Sequence, residues 1–190
     1  MEEAKKLTGG MRVFSDGSCI DGMVGAAAVL FRQGTEAGIL RKNMGAECWH
    51  TVYEAEVVGL TLAAELLKRE RFVEATTIGA DSQAAIRAMS NTRGKPGQHL
   101  VDQLHKKVEE VHSRHGSNVV EIWWIPGHEG IRENERADEE AKRAARGDSS
   151  PADLLPHTCS RTIPTSRSAA RQSHPKKIKG DAASMFIESL

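Results

Sequence analysis

Apolar and polar positions alternate from Met11 to Ser18, close into a compact apolar run from Gly25 to Arg32, and alternate more weakly from Ile39 to Cys48. A period of two marks strands, and glycine-containing turns part the three runs, so this third of the chain predicts a β-meander. The period then lengthens. From Val52 to Arg69 the residues Val52, Ala55, Gly59, Leu62, Ala63, Leu66 and Leu67 recur at helical spacing. Ala75 to Ala80 reads as a short strand, Ser82 to Met89 as a helix, and Gln98 to His115 as a helix with Leu100, Val101, Leu104, Val108 and Val111 on one stripe. Val119 to Ile125 supplies a last strand stopped by Pro126 and Gly127, and Arg132 to Arg146 a last helix ended by Gly147. The order βββαβααβα predicts an α/β domain with a mixed sheet, antiparallel hairpins first and parallel strands reached by right-handed helical crossovers after them.

Four acidic residues fall at informative places in this pattern. Asp16 and Asp81 end predicted strands, where ligand sites of open α/β sheets gather. Asp16 could equally serve a turn, and Asp81 could cap the helix that follows it. Glu56 lies on the apolar stripe of its helix, one turn from Val52 and near Gly59, whereas Glu54 shares a face with Thr61, Glu65 and Lys68 and is expected in solvent. Gly59 costs about 1 kcal/mol relative to alanine in a helix interior, which makes sense if the helix must approach the Asp16 strand closely. In the last helix Asn134, Ala137, Asp138, Ala141, Ala144 and Ala145 form the packing face, and Glu135, Arg136, Glu139, Glu140, Lys142 and Arg143 the solvent face. Burying unpaired carboxylates costs several kcal/mol unless metal or hydrogen bonds compensate. Four that converge need a cation, and magnesium takes hard oxygen ligands while leaving room for phosphate oxygens.

Composition narrows the setting. No apolar run approaches the ~18 residues of a membrane span, and Met1 to Gly10 does not read as a secretory leader, so an intracellular protein is expected, cytoplasmic or nuclear. Cys19, Cys48 and Cys159 lack the close spacing of a disulfide framework or thiolate zinc site. The formal net charge is zero, so any grip on phosphates must be local. Four of the six prolines follow residue 148, where the apolar period fades. The domain is therefore drawn as 11–147, and 148–190 as a Pro/Ser-rich linker or disordered tail of net charge +2, leaving −2 on the rest. Lys176, Lys177 and Lys179 could form a weak nuclear signal, though a solvated charge run explains them as well.

The run Trp124-Ile125-Pro126-Gly127-His128 followed by Glu133-Asn134-Glu135-Arg136-Ala137-Asp138 resembles the signature of the type 1 ribonuclease H family. Asp16-Gly17-Ser18-Cys19, Glu56 with Gly59 and Ala63, and Asp81-Ser82-Gln83 occur in that family's order and approximate spacing, so the resemblance spans roughly residues 11 to 146. Gly25-Ala26-Ala27-Ala28-Val29-Leu30 and Tyr53-Glu54-Ala55-Glu56 are most similar in wording to the ribonuclease H domains of fungal non-LTR retrotransposon reverse transcriptases. The resemblance implies a ribonuclease H-like fold, a five-stranded sheet in the order 3-2-1-4-5 flanked by helices. It implies two magnesium ions, with manganese as a substitute, held by Asp16, Glu56, Asp81 and Asp138. His128 would move protons, and Gly17, Ser18, Thr51, Gln83 and Asn134 would touch substrate. The implied activity is endonucleolytic hydrolysis of the RNA strand of RNA/DNA hybrids by a monomer, with a reverse transcriptase polymerase portion as a further partner.

This chain departs from the family pattern in three places, the first being its turn Ile20-Asp21-Gly22-Met23-Val24, which is shorter and lacks the asparagine of many cellular members. Val52 and Tyr53 stand where many members carry Asn or Gln, and only Arg93 and Lys95 offer a substrate handle after the helix that starts at Ser82. Two other readings compete: an inactive retroelement-derived remnant that binds nucleic acid, and a 3′ to 5′ exonuclease. The exonuclease expects Asp-x-Glu on the first strand, where this chain has Asp16-Gly17-Ser18.

Overall fold

A computed structural model describes residues 10–73, 76–90, 97–116, 120–127 and 129–171. Strands β1 (Met11–Ile20), β2 (Met23–Arg32) and β3 (Thr35–Ala46) are joined by two-residue turns, Asp21-Gly22 and Gln33-Gly34. All four turn residues have positive φ, from 50° to 78°. Two successive left-handed residues twist a hairpin the way its strands twist. The hairpins are therefore longer than the alternation predicts: β1 continues to Ile20, and β3 begins at Thr35 instead of Ile39.

The chain continues through helix α1 (Val52–Arg69), strand β4 (Thr76–Ala80), helices α2 (Gln83–Met89) and α3 (Gln98–His115), strand β5 (Val120–Trp124) and helix α4 (Arg132–Ala145). The sheet order is β3-β2-β1-β4-β5, as expected. β1 pairs antiparallel with β2 from Met11 opposite Arg32 to Ile20 opposite Met23, and parallel with β4 from Arg12 opposite Thr77 to Phe14 opposite Gly79. Neighbouring residues of β1 serve opposite faces. Val13 joins the main core with Leu60, Leu62, Leu67 and Ile78, while Phe14 joins Val29, Phe31, Ile125 and Ala137 on the other side. α1 thus covers one face, with α3 packed outside it, and α4 covers the other. Ala137, Ala141, Ala144 and Ala145 are buried along α4, and a Cβ on Gly25 of β2 would overlap the backbone of Ala144 and Ala145. Small side chains on both partners set this close approach. No helix among the described residues is long and apolar enough to cross a membrane.

Two expectations fail, for one reason: partners distant in sequence bury what a local pattern assigns to solvent. Glu140, assigned to the solvent face of α4, has 0% exposed surface and is paired with Arg41, Arg136 and Arg143. Burial pushes its carboxyl up, but hydrogen bonds from Arg41 and Arg136 outweigh that and hold it below the usual carboxylate range. Glu140→Ala leaves the largely buried Arg41 guanidinium with only the Asp148 carboxylate, at 3.5 Å, and loss of one partner of a buried pair costs up to about 3–5 kcal/mol. Chemical denaturation should show that loss as a lower midpoint at unchanged slope.

The stretch after Gly147 is the second departure. Ser150 exchanges hydrogen bonds with the Arg41 backbone at 2.9 and 3.0 Å, and the Asn43 amide donates to Ser149 Oγ at 2.7 Å, so the chain lies along the outer edge of β3. A 3-10 turn (Ala152–Leu154) and a short helix α5 (His157–Ser160) follow, and Leu155, Cys159 and Ile163 enter the main core. The Ser166 amide then donates to the Trp49 carbonyl at 2.8 Å. Residues 149–171 are a strap on the domain, not the linker the proline content suggests. Leu155, Cys159, Ile163 and Ala169, spaced among prolines, are too sparse to register as a period. Lys176, Lys177 and Lys179 lie outside the described residues, as do Arg93 and Lys95.

Candidate metal centre

The parallel pairing of β1 with β4 sets Phe14 beside Gly79, and two residues further along each strand stand Asp16 and Asp81. Equal offsets put both on the same side of the sheet. Glu56 arrives from α1, whose depth is set by two glycines. A Cβ on Gly17 would lie 2.5 Å from the Glu56 backbone nitrogen, and one on Gly59 would lie 3.0 Å from the Asp16 carbonyl oxygen. Gly17, expected to touch substrate, thus has a packing duty as well. The close approach inferred for Gly59 is present.

The start of α1 is fixed by a capping box. The Glu54 amide donates to Thr51 Oγ1 at 3.2 Å, and the Thr51 amide donates to Glu54 Oε2 at 2.8 Å. Glu54 is consequently buried, at 2% exposure, and not solvated as its face suggested. Its carboxylate satisfies orphan amides of the helix start. Glu56, two residues on, points elsewhere.

Carboxylate oxygens of Asp16, Glu56 and Asp81 lie within 4.8 Å of one another. They line a cavity of about 180 Å3 with Gly17, Asn134, Glu135 and Asp138. Asp138 is therefore at the pocket but outside the tight trio, and its Oδ2 accepts from Lys142 Nζ at 2.5 Å. Burial, then the charges of Asp81 and Asp138, push the Asp16 carboxyl up to about 8, against a weaker opposing hydrogen bond from the Gly17 backbone. Burial, then Asp16 and Asp81, push Glu56 up to about 9. Glu56 Oε2 and Asn134 Oδ1 are buried without a hydrogen-bond partner among the described residues. Crowded hard oxygens at a largely buried site, two of them without a hydrogen-bond partner among the described residues, fit a hard divalent cation, which would supply the missing positive charge.

The other expected residues divide. Asn134 is buried at the cavity, and Ser18 is buried on β1 two residues beyond Asp16. Thr51 spends its hydroxyl on the α1 cap, and Gln83 Oε1 accepts from Arg87 at 2.9 Å on the exposed side of α2. His128 lies outside the described residues. Glu135 is exposed, as its face predicts, and also lines the cavity, because it adjoins Asn134 on a face that holds Asp138 one turn later. Gly127 was read only as a strand stop. A Cβ there would sit 2.9 Å from Asp81 Oδ2, so the turn after β5 leans directly on that carboxylate, and Trp124 Nε1 donates to the Asp81 carbonyl at 3.0 Å. A larger cavity of about 620 Å3 lies between the β2–β3 turn and α4. Its charges include the pairs Arg12–Glu133 and Arg136–Glu36, both at 2.9 Å, so arginines balance carboxylates there and no trio of acids converges among the described residues.

Comparison with known proteins agrees with this arrangement. Residues 8–146 match the RNase H family. The chain is 29% identical over 143 residues to a ribonuclease H of Nitrosococcus oceani, covering 70% of this chain and 92% of that protein. Among solved structures it resembles the N-terminal RNase H domain of a Mycobacterium tuberculosis protein, with TM-score 0.57 and 20% identity over 72% of this chain and 93% of that one. It also resembles LC11-RNase H1 solved in complex with an RNA/DNA hybrid, with TM-score 0.55 and 19% identity over 72% and 96% of the two chains.

Proposed function

Because the chain belongs to the RNase H family, we propose that it is a metal-dependent endonuclease that hydrolyses the RNA strand of RNA/DNA hybrids, leaving 5′-phosphate and 3′-hydroxyl ends. The observation that carries this reading is the convergence of Asp16, Glu56 and Asp81 in one dehydrated pocket. Asp16, Glu56 and Asp81, with Asp138 as a fourth ligand, would hold two magnesium or manganese ions. When bound, such ions activate the attacking water and stabilise the leaving oxygen in an in-line displacement.

The chain's own groups do the rest. Asp138 stands at the pocket rim, steadied by Lys142, so its carboxylate is shared between an ammonium and the cavity. Asn134 Oδ1, unpartnered and buried, is an acceptor for a ribose hydroxyl, the group that separates RNA from DNA. Gly17 and Ser18, beside Asp16, would offer backbone and hydroxyl contacts to the same strand, while Thr51 and Gln83, already bonded within their helices, would reach substrate only through their remaining polar atoms. His128, one residue beyond the turn that touches Asp81, would carry protons near neutral pH.

Kinship with the ribonuclease H domains of fungal non-LTR reverse transcriptases is supported by the wording of the sequence blocks alone. A foamy viral protease-reverse transcriptase does share the fold, at TM-score 0.58 and 16% identity. A polymerase portion as partner is the corresponding proposal. The second functional reading, binding without turnover, draws on one feature: the Lys142 pairing keeps Asp138 apart from the trio.

One assay separates the two. Purified protein is incubated with labelled RNA/DNA hybrid, duplex RNA and single-stranded DNA, with magnesium or with chelator, beside Asp81→Asn. Cleavage of the hybrid only, with magnesium only, and lost in Asp81→Asn is the expected result. Binding of the hybrid with no cleavage by the unaltered chain would overturn the nuclease reading in favour of the inactive one.

A further inference from the structure

We propose that the strap is a second nucleic-acid contact, in which Arg167 and Arg171 grip the sugar–phosphate backbone beside Trp49, outside the acidic cavity. The inference takes its partner from the nuclease reading but depends on binding alone.

Charge supplies the first argument. The chain as a whole is neutral, and its candidate centre is a cluster of carboxylates that repels phosphate. A compensating cationic surface has to exist somewhere if nucleic acid is to approach. Many arginines of the domain are committed elsewhere: Arg12, Arg32, Arg41, Arg69, Arg136 and Arg143 each pair with a carboxylate. The strap differs. From Leu154 to Arg171 it contains Arg161, Arg167 and Arg171 and no aspartate or glutamate. All three are exposed, and none pairs with a carboxylate among the described residues.

Placement supplies the second. Residues 167–171 are helical, so Arg167 and Arg171 stand one turn apart on one side. Buried Ser166 and Ala169 hold this turn to the domain, Ser166 through its amide bond to the Trp49 carbonyl at 2.8 Å. Trp49 is 55% exposed, an indole left open to solvent two residues before the α1 cap. Cations beside an open aromatic face are the usual equipment for holding a nucleic-acid strand. From Thr51 to Glu56 the helix rises only about 8 Å. At roughly 3.4 Å per nucleotide, that rise corresponds to about two to three nucleotides between the α1 cap and the acidic cavity. The strap is thus placed to add affinity without touching the reacting phosphate.

The test is equilibrium binding of a fluorescein-labelled RNA/DNA hybrid of about 20 base pairs, in chelator, over a range of salt. Arg167→Glu/Arg171→Glu should lower the slope of log affinity against log salt by about two and weaken binding at least about tenfold at low salt. Arg167→Lys/Arg171→Lys should keep most of the slope. Arg114→Glu is the control: it reverses an exposed charge near the far end of α3, about 25 Å along the helix from Gln98. It should leave the slope unchanged. Thermal melting of each variant, expected to match the parent, shows that the strap stays docked.

An unchanged slope in the double variant would overturn the proposal, leaving the arginines to an acidic protein partner, and so would an equal loss in Arg114→Glu. If the unaltered chain binds the hybrid but never cuts it, and the double variant still loses its slope, the nuclease reading fails and the strap contact stands. If cleavage is robust and the slope does not move, the strap contact fails alone.

Discussion

Glu56→Gln should abolish metal-dependent cleavage, a loss of about 10³-fold or more, while Glu54→Gln, two residues away, stays close to the parent rate. The contrast follows from what each carboxylate touches. Glu56 is one of three acids whose oxygens lie within 4.8 Å, and its Oε2 has no protein partner among the described residues. Its charge serves whatever cation the pocket holds, and an amide of the same shape cannot replace it. Glu54 is just as buried, but its oxygens are spent on the Thr51 amide and hydroxyl. Glutamine is accepted at the third position of a capping box, so that variant should lose no more than about 1 kcal/mol of stability. Steady-state cleavage of a labelled hybrid, with a denaturation curve for each variant, makes the comparison. Equal loss of activity from both changes would mean that the two helix faces have been assigned wrongly.

The same two glutamates show what a sequence reveals about its own fold. Period and turn chemistry carried the element order and the mixed sheet, because each strand and helix announces itself within about ten residues, while the strand order came from the family resemblance. Gly59 was legible too, since an unfavourable glycine in an otherwise good helix asks for a close neighbour. Burial of charge was not legible. Glu54, Glu65 and Glu140 lie where a helical wheel shows polar residues together, and a wheel assigns such a face to solvent; for Glu54 the Thr51-x-x-Glu54 capping-box spacing is a local mark, and for the other two there is none. Glu140 is buried because Arg41, 99 residues earlier, meets it across the sheet. Glu65 is buried because Lys107 of α3 reaches it at 2.8 Å. Partnerships of that range leave no local mark. The strap escaped for the opposite reason: its composition resembles a linker, and only contact with β3 and Trp49 shows that it is folded. Within the site, Asp16, Glu56 and Asp81 were found together because strand ends and an inward helix position are local signals. Glu135 was missed because it sits at the border between the two faces of α4.

A pocket that crowds acids without a cation should weigh on the stability of the metal-free protein, and the sign of that effect is fixed. Folded Asp16 is raised to about 8 and Glu56 to about 9, both far above ordinary carboxyls near 4. The folded state therefore binds protons that the unfolded state has already released, and stability falls as pH rises from about 4 through 9. In chelator, the site should therefore lower Tm at pH 8.5 relative to pH 5.5. Magnesium binds the ionised pocket and competes with those protons. Its stabilisation should be small at pH 5.5 and large at pH 8.5, the reverse of a cation merely screening a surface. Asp16→Asn removes the most crowded charge, so it should raise the metal-free Tm at pH 8.5 and flatten the magnesium response. Scanning calorimetry at the two pH values, with and without magnesium, for both proteins, reads all of these quantities. A magnesium increment that is the same at both pH values, or that survives in Asp16→Asn, would show that the ion binds somewhere other than among Asp16, Glu56 and Asp81.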